Sequence, residues 1–238
     1  VAHYLKASHS LAQMKTLVDC ASRLTAMSKN PFPIAVLWDL DGTLIDSEHY
    51  WALSQTRLAN QYGATWTDED GKGVIGSSLY DSSALIKTKF GIEDRSVQDI
   101  IDHLTDEVIE QMRASLPWRP GALELLLSLK QEGIKTALVT MSMRRMALAV
   151  VESIPFHAFD VVVAGDDVVN GKPHPEPYLK AADLLGVEAR NCIAFEDSIT
   201  GLTSAVAAGT NAVGVTNMLQ LPTGPDRKVI STLSGLTI

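Results

Sequence analysis

Residues 34–43 read Ile-Ala-Val-Leu-Trp-Asp-Leu-Asp-Gly-Thr, and this stretch decides the fold. It starts with an apolar run and ends in two aspartates, Asp39 and Asp41, followed by Gly42. A short run that is apolar on both faces is typical of a strand buried in a parallel sheet. The acids that follow would stand at the carboxyl end of that strand, where open parallel sheets bind ligands. The stretch therefore predicts both a fold and the position of its site.

Four more runs of this kind follow, at residues 136–139, 161–164, 192–195 and 212–215. Amphipathic helical patterns lie between them, and Gly133, Gly186 and Gly209 each stand between such a helix and the next strand. Glycine is favoured just past a helix because it tolerates the left-handed conformation there. Strands that alternate with helices predict an α/β fold, with a doubly wound, five-stranded, parallel Rossmann-like sheet.

The strand signal is absent between residues 47 and 114, where helical patterns cover 48–62, 78–90 and 96–114. We therefore expect a second, smaller α-helical cap domain at 47–114, inserted after the first strand. The catalytic core would comprise 31–46 and 115–238. The two links between core and cap, near Asp46 and Pro117, are placed to serve as a hinge.

Residues 1–30 differ in charge from the rest of the chain. They contain one acid, Asp19, and four basic residues, Lys6, Lys15, Arg23 and Lys29, whereas the whole chain has a net charge of -8. Their apolar residues recur at helical spacing, which predicts an N-terminal helical extension. It is either an extra helix packed on the core or a segment upstream of a start at Met27. A docking or dimerisation helix is a third interpretation.

Chemistry-bearing side chains follow each of the first four strands. They are Asp39 and Asp41, then Thr140, Met141 and Ser142, then Asp166, Asp167 and Lys172, then Glu196 and Asp197. Because the carboxyl ends of parallel strands meet at one edge of a sheet, we expect these groups to lie together. A carboxylate cluster needs a cation to offset its repulsion, and Mg²⁺ prefers oxygen ligands. The sequence therefore predicts a Mg²⁺ site.

This set of groups suits phosphoryl transfer. Asp39 could attack phosphorus and form an aspartyl-phosphate. Asp41, on the same side of an extended backbone, could protonate the leaving oxygen and then activate water. Thr140 can donate a hydrogen bond, Lys172 can neutralise growing charge, and Gly42 leaves room for backbone N–H groups to face a phosphate.

These segments resemble, in order and spacing, the four motifs of the haloacid dehalogenase-like (HAD) hydrolase superfamily. The first is Asp39 to Thr43, the second Thr140, the third Lys172 and the fourth Glu196-Asp197. The resemblance implies that the Mg²⁺ ligands are the Asp39 carboxylate, the main-chain carbonyl of Asp41 and Asp197. It places Glu196 behind them or joined through water.

The helical insert resembles the cap of the subfamily that includes phosphoglycolate phosphatases, sugar-phosphate phosphatases and β-phosphoglucomutase. The resemblance implies that the cap faces the nucleophile. The expected substrate or phosphate contacts are Gly42, Thr43, Met141, Ser142, Trp51 and Leu79.

The leading hypothesis is a Mg²⁺-dependent phosphatase of small phosphorylated metabolites such as sugar or polyol phosphates. Asp41 favours phosphoryl chemistry, since the dehalogenases of the superfamily lack this second aspartate. A β-phosphoglucomutase-like mutase is the alternative, although such relatives carry His and Arg where Trp51 and Leu79 stand. A third hypothesis is a non-catalytic regulatory binding protein on the same scaffold.

Composition limits the partners. A net charge of -8 argues against a broad nucleic-acid footprint, and no apolar run approaches the length of a membrane span. The two cysteines, Cys20 and Cys192, have no metal-ligand spacing. We expect a cytoplasmic monomer or weak dimer whose partner is a small-molecule phosphate ester.

Four local patterns carry further expectations. Asp167 would either hydrogen-bond and orient Lys172 or cap a turn, and Asp46 and Ser47 would cap the first cap helix rather than contact substrate. Residues 71–76 fit G-x-G-x-x-G, but no strand precedes them, so we expect a turn of the cap rather than a dinucleotide loop. His174 either lines the site or is a loop residue.

Overall fold

The computed structural model describes residues 33–236, so the predicted helical extension at 1–30 lies outside the described residues. Its sheet has six parallel strands in the order β3-β2-β1-β4-β5-β6. The strands are β1 (Ala35–Trp38), β2 (Lys135–Val139), β3 (Val161–Val163), β4 (Cys192–Glu196), β5 (Asn211–Val215) and β6 (Arg227–Ile230). The α/β class and the parallel sheet are confirmed.

The prediction of five strands is wrong by one strand. β6 pairs with β5 at the edge of the sheet, with Arg227 opposite Ala212. All four residues of β6 are only half-buried, and two of them are Arg227 and Lys228. An edge strand of this kind lacks the run of apolar residues on both faces by which the other five were recognised.

The strands are apolar on both faces because the sheet is covered on both. Val36 and Trp38 of β1 pack into one apolar cluster, whereas Ala35 and Leu37 pack into another. Successive side chains of a strand point to opposite faces, so each cluster covers one face of the sheet. The helices that supply the two clusters confirm a doubly wound arrangement.

Eight α-helices lie within residues 33–236. They are α1 (Glu48–Gln61), α2 (Asp68–Val74), α3 (Leu79–Phe90), α4 (Val97–Ala114), α5 (Ala122–Gln131), α6 (Arg144–Glu152), α7 (Glu176–Leu185) and α8 (Ile199–Ala207). The first four occupy the insert after β1, and α4 contacts both α1 and α3. None of the helices in this range is long and apolar enough to cross a membrane.

Helix α2 covers most of the segment that was expected to be a turn. Thr67 caps it, and the carboxylate of Asp70 accepts a hydrogen bond from the Thr67 backbone in return. This reciprocal cap offsets the cost of Gly71 and Gly73 inside the helix. The absence of a preceding strand is confirmed in the described range, so the glycine pattern is no dinucleotide loop.

The two links between the sheet and the inserted helices pair with each other. Asp46 N–H donates to the Pro117 carbonyl at 2.8 Å, and Arg119 N–H donates to the Leu44 carbonyl at 3.0 Å. Ile45 and Trp118 form an antiparallel bridge between these bonds. The chain therefore leaves the sheet for the inserted helices and returns from them at one place, and the outgoing link begins three residues after Asp41.

Candidate active site

A cavity of about 530 Å³ lies between the carboxyl edge of the sheet and the inserted helices. Most of the residues predicted for the site line it. They are Asp39, Asp41, Trp51, Leu79, Thr140, Met141, Ser142, Lys172 and Asp197. These residues are spread over more than half of the sequence, and the parallel sheet brings them to one edge.

Asp39 and Lys172 form a buried ion pair. Lys172 Nζ lies 2.7 Å from Asp39 Oδ1 and donates to the Val139 carbonyl at 2.9 Å. Asp39 is anchored by its backbone N–H, which donates to the Phe195 carbonyl at 3.0 Å. Strands β1, β2 and β4 thus fix both charges with respect to each other.

Glu196 lies behind this pair. Its Oε1 is 2.6 Å from Lys172 Nζ, and it also accepts a hydrogen bond from the Tyr178 hydroxyl. The ring of Tyr178 lies 5.3 Å from the same ammonium. At Gly201 a Cβ would overlap the Glu196 carboxylate, so α8 can approach only because this residue has no side chain.

The carboxylate of Asp41 is held by donors from two parts of the chain. On the insert side, Ser47 Oγ and Trp51 Nε1 (2.9 Å) donate to Oδ1. On the core side, Ser142 Oγ (2.6 Å) and Thr140 Oγ1 (3.4 Å) donate to Oδ2. The Asp41 carboxylate therefore links the strand ends to the first helix of the insert.

Asp197 completes an acidic cluster. Ligand oxygens of Asp39, Glu196 and Asp197 all lie within 4.8 Å of one another. Gly42, with a φ of 81°, packs against Asp197 so closely that a Cβ would overlap its carboxylate. A glycine at 42 is thus required both by its backbone angle and by the space that Asp197 occupies.

The cluster carries more negative charge than Lys172 can balance. Burial, and then Glu196, raise the pKa of Asp39 to about 7, although Lys172 lowers it. Burial and the neighbouring acids raise the pKa of Asp197 well above its usual range. Burial lowers the pKa of Lys172, but Asp39 and Glu196 more than offset this and raise it above its usual value.

These raised carboxyl pKa values indicate a site that lacks a counter-charge. A buried set of carboxylate oxygens is the donor set that a hard divalent cation such as Mg²⁺ prefers. The residues present therefore fit a bound divalent metal.

Three predicted site residues lie outside the cavity lining. Gly42 and Glu196 lie behind it, and Thr43 is fully buried, with no hydrogen-bond partner for its Oγ1 among residues 33–236. Several lining residues were not predicted for the site, among them Asn217 and Glu48, whose pKa burial and Asp41 raise to about 8. An acid in the first turn of a helix is expected because it interacts favourably with the helix dipole, so the sequence offered no reason to assign Glu48 to the site.

Two local expectations need correction. Asp167 does not contact Lys172, because its carboxylate accepts from the Arg144 guanidinium. It caps a turn instead, since it also accepts from Ala164 N–H at the start of the turn at Gly165–Asp167. Ser47 stands at the start of α1 but makes no side-chain cap, since its hydroxyl donates to Asp41 instead. Asp46 accepts from Asn217 Nδ2 at 3.4 Å. His174 is outside the cavity lining, and its Nδ1 accepts from Glu176 N–H.

Comparisons with known proteins agree with this geometry. The profile of the haloacid dehalogenase-like hydrolase family matches residues 36–215. A phosphorylated carbohydrates phosphatase of Thermotoga maritima is 32% identical over 187 residues, which cover 78% of this chain and 86% of the relative. The chain belongs to the haloacid dehalogenase-like hydrolase family.

Two solved structures show the same architecture. CbbY from Rhodobacter sphaeroides, in complex with phosphate, superimposes with a TM-score of 0.77 at 25% identity and covers 86% of this chain and 96% of its own. β-Phosphoglucomutase from Clostridium difficile superimposes with a TM-score of 0.73 at 25% identity, covering 84% and 91%. The fold is thus shared by a phosphate-bound protein and by a mutase.

The contact between Tyr178 and Glu196 makes a testable prediction. Tyr178→Phe removes one hydroxyl donor from a buried carboxylate, so the free energy of unfolding should fall by about 1.5–3 kcal/mol. Urea unfolding measures this loss. Tyr62→Phe is the matched control, because Tyr62 also donates to a carboxylate, that of Asp94, but in an exposed place. If both variants lost the same free energy of unfolding, burial would not explain the stabilisation by the Tyr178 hydroxyl.

Proposed function

We propose that the chain is a Mg²⁺-dependent phosphatase of small phosphorylated metabolites, and that its main substrates are sugar or polyol phosphates. The observation that carries the proposal is the Asp39–Lys172 pair at the base of a cavity that Asp41 also faces. It is supported by the relative that is named a phosphorylated carbohydrates phosphatase and by the phosphate complex of CbbY.

Asp39 is the proposed nucleophile. Its Oδ1 is bound to Lys172, so Oδ2 is the oxygen that would attack phosphorus and form an aspartyl-phosphate. The Lys172 ammonium also lies where it can neutralise charge on the transferring group. Glu196 and Tyr178 keep the ammonium in place from behind.

Asp41 is the proposed acid and base. It would protonate the leaving oxygen and then remove a proton from the water that hydrolyses the aspartyl-phosphate. Its present donors, Ser47, Trp51, Thr140 and Ser142, fix the carboxylate at the cavity wall. Thr140 and Ser142 are also placed, with Met141, to contact a phosphate.

Mg²⁺ is the proposed cofactor. Asp39, Asp197 and the main-chain carbonyl of Asp41 would hold it, and Glu196, already paired with Lys172, would stay behind them. When bound, the ion would screen the repulsion between the Asp39 carboxylate and an anionic phosphate ester.

The helices of residues 47–114 are the proposed cap, on a core of residues 31–46 and 115–238. The paired links at Leu44–Asp46 and Pro117–Arg119 are the proposed hinge. Trp51 and Leu79 would contact the part of the substrate that leaves. We further keep the predictions of a cytoplasmic location, a monomer or weak dimer, and no nucleic-acid or membrane partner.

A mutase is the second candidate, because a β-phosphoglucomutase shares the fold. Such an enzyme must bind a second phosphate, and Trp51 and Leu79 supply no charge for it where mutase relatives carry His and Arg. The phosphatase hypothesis is therefore favoured. A purely regulatory role is disfavoured, because Asp39, Asp41, Lys172 and Asp197 stand together intact.

Replacing the nucleophile should abolish turnover. We expect Asp39→Asn to lower phosphate release from a panel of sugar and polyol monophosphates by more than about a thousandfold, since an amide is no nucleophile toward phosphorus. Asp166→Asn is the control, since Asp166 also follows a strand but is outside the cavity lining. The proposal would be refuted if the folded, Mg²⁺-loaded wild-type protein hydrolysed none of the monoesters.

Binding of Mg²⁺ should be visible without any substrate. At a hundredfold excess over its Kd, Mg²⁺ should stabilise the wild type by about 2.7 kcal/mol, which corresponds to a rise in Tm of roughly 5–10 °C. Asp197→Asn should remove most of this rise because it removes a ligand, and Asp166→Asn should keep it. An unchanged Tm rise in Asp197→Asn, measured by scanning calorimetry, would refute the assigned site.

A further inference from the structure

The inserted helices bring a second polar group to the cavity, separate from the strand ends. Gln55 on α1 and Trp66, just before α2, both line the cavity and are otherwise buried. Trp66 Nε1 donates to Gln55 Oε1 at 2.9 Å. This bond joins α1 to the segment that leads into α2.

The bond fixes which way the Gln55 amide points. An indole N–H can only donate, so it must face the amide oxygen of Gln55 and not its nitrogen. Nε2 makes no hydrogen bond to any of the residues that the structure describes, yet it is not among the buried atoms without a partner. Two N–H donors of Gln55 are therefore left open on the side of the cavity.

Trp66 is itself fixed in place. Its ring meets Phe90 edge-on, with the ring centroids 5.7 Å apart. Since Trp66 cannot turn away without losing this packing, the Gln55 amide is oriented before any ligand arrives. Pre-organised donors lose little conformational entropy on binding, which suits them to select between ligands.

The surroundings of Gln55 favour a hydroxylated and otherwise neutral ligand. Trp51, one turn earlier on α1, lines the cavity beside it and offers an apolar ring to C–H groups. Beyond the strand ends, the lining carries two carboxylates, Asp46 and Asp68, against one lysine, Lys72. Glu48 also lines the cavity, but its pKa of about 8 leaves it largely uncharged at pH 7. A second anionic group on the ligand would meet this excess of negative charge.

We propose that Gln55 is a specificity-determining residue, which donates to a hydroxyl oxygen on the sugar or polyol body of the substrate. Trp66 is its positioning residue. This inference rests on the proposed phosphatase function, and it narrows the substrate class to monophosphates of neutral polyhydroxylated compounds.

The test compares two substrates in one variant. Glucitol 6-phosphate carries hydroxyls along its whole body, whereas 4-nitrophenyl phosphate carries none. Gln55→Met removes both donors at nearly constant volume. It should lower the ratio of kcat/KM for glucitol 6-phosphate to kcat/KM for 4-nitrophenyl phosphate about threefold to tenfold. The loss should fall mainly on KM, since the contact acts on bound substrate throughout.

Three further variants isolate the contact. Gln111→Met is the control and should leave the ratio unchanged, because Gln111 Nε2 donates to Ser54 Oγ, away from the cavity lining. Trp66→Phe should lower the ratio, and adding it to Gln55→Met should lower the ratio no further. Gln55→Glu keeps the acceptor for Trp66 and removes both donors, so it tests the same point if Gln55→Met does not fold.

The outcomes separate this inference from the proposed function. An equal loss on both substrates, or no loss in either Gln55 variant, would overturn the role of Gln55. Wild type that hydrolyses 4-nitrophenyl phosphate but not glucitol 6-phosphate or other polyol and sugar monophosphates would overturn the substrate class while the phosphatase stands. Wild type that hydrolyses neither substrate would refute the phosphatase, and the inference with it.

Discussion

The ammonium of Lys172, held between the carboxylates of Asp39 and Glu196, is the interaction on which the rest of the site depends. An unpaired charge at this depth would be very costly, so the three groups must arrive together. They come from the ends of β1 and β4 and from the loop after β3. The register of the sheet and the packing of Tyr178 and Gly201 beneath Glu196 therefore serve one purpose, to keep this charge triad in place.

The triad also leaves an excess of negative charge, and this excess gives the site its chemistry. Lys172 balances only part of what Asp39, Glu196 and Asp197 carry, so the cluster suits a divalent cation and, with it, an anionic substrate. Asp41 stands apart from the cluster and contacts Trp51 and Ser47 of the insert. In the proposed mechanism the acid/base thus lies where the core meets the cap, and the nucleophile lies wholly in the core.

The sequence alone predicts those parts of the structure that follow from a local sequence pattern. Strands buried on both faces read as apolar runs, and the acids that follow them meet at one edge, which is why Asp39, Asp41 and Asp197 could be predicted to lie together. The half-buried β6 has no such run. Asp167 has the right spacing to reach Lys172 but pairs with Arg144, a choice set by three-dimensional proximity. The Gln55–Trp66 bond likewise joins residues whose relation no periodicity shows.

The central claim is that Asp39 becomes phosphorylated during turnover, and chemical trapping tests it most directly. Wild type and a sugar monophosphate, mixed with Mg²⁺ and quenched within one turnover, would be treated with borohydride, which reduces an acyl phosphate to an alcohol. Peptide mass spectrometry should then find homoserine at position 39, dependent on both substrate and Mg²⁺. Phosphate release with no such product, or with the reduced residue at another position, would contradict the account.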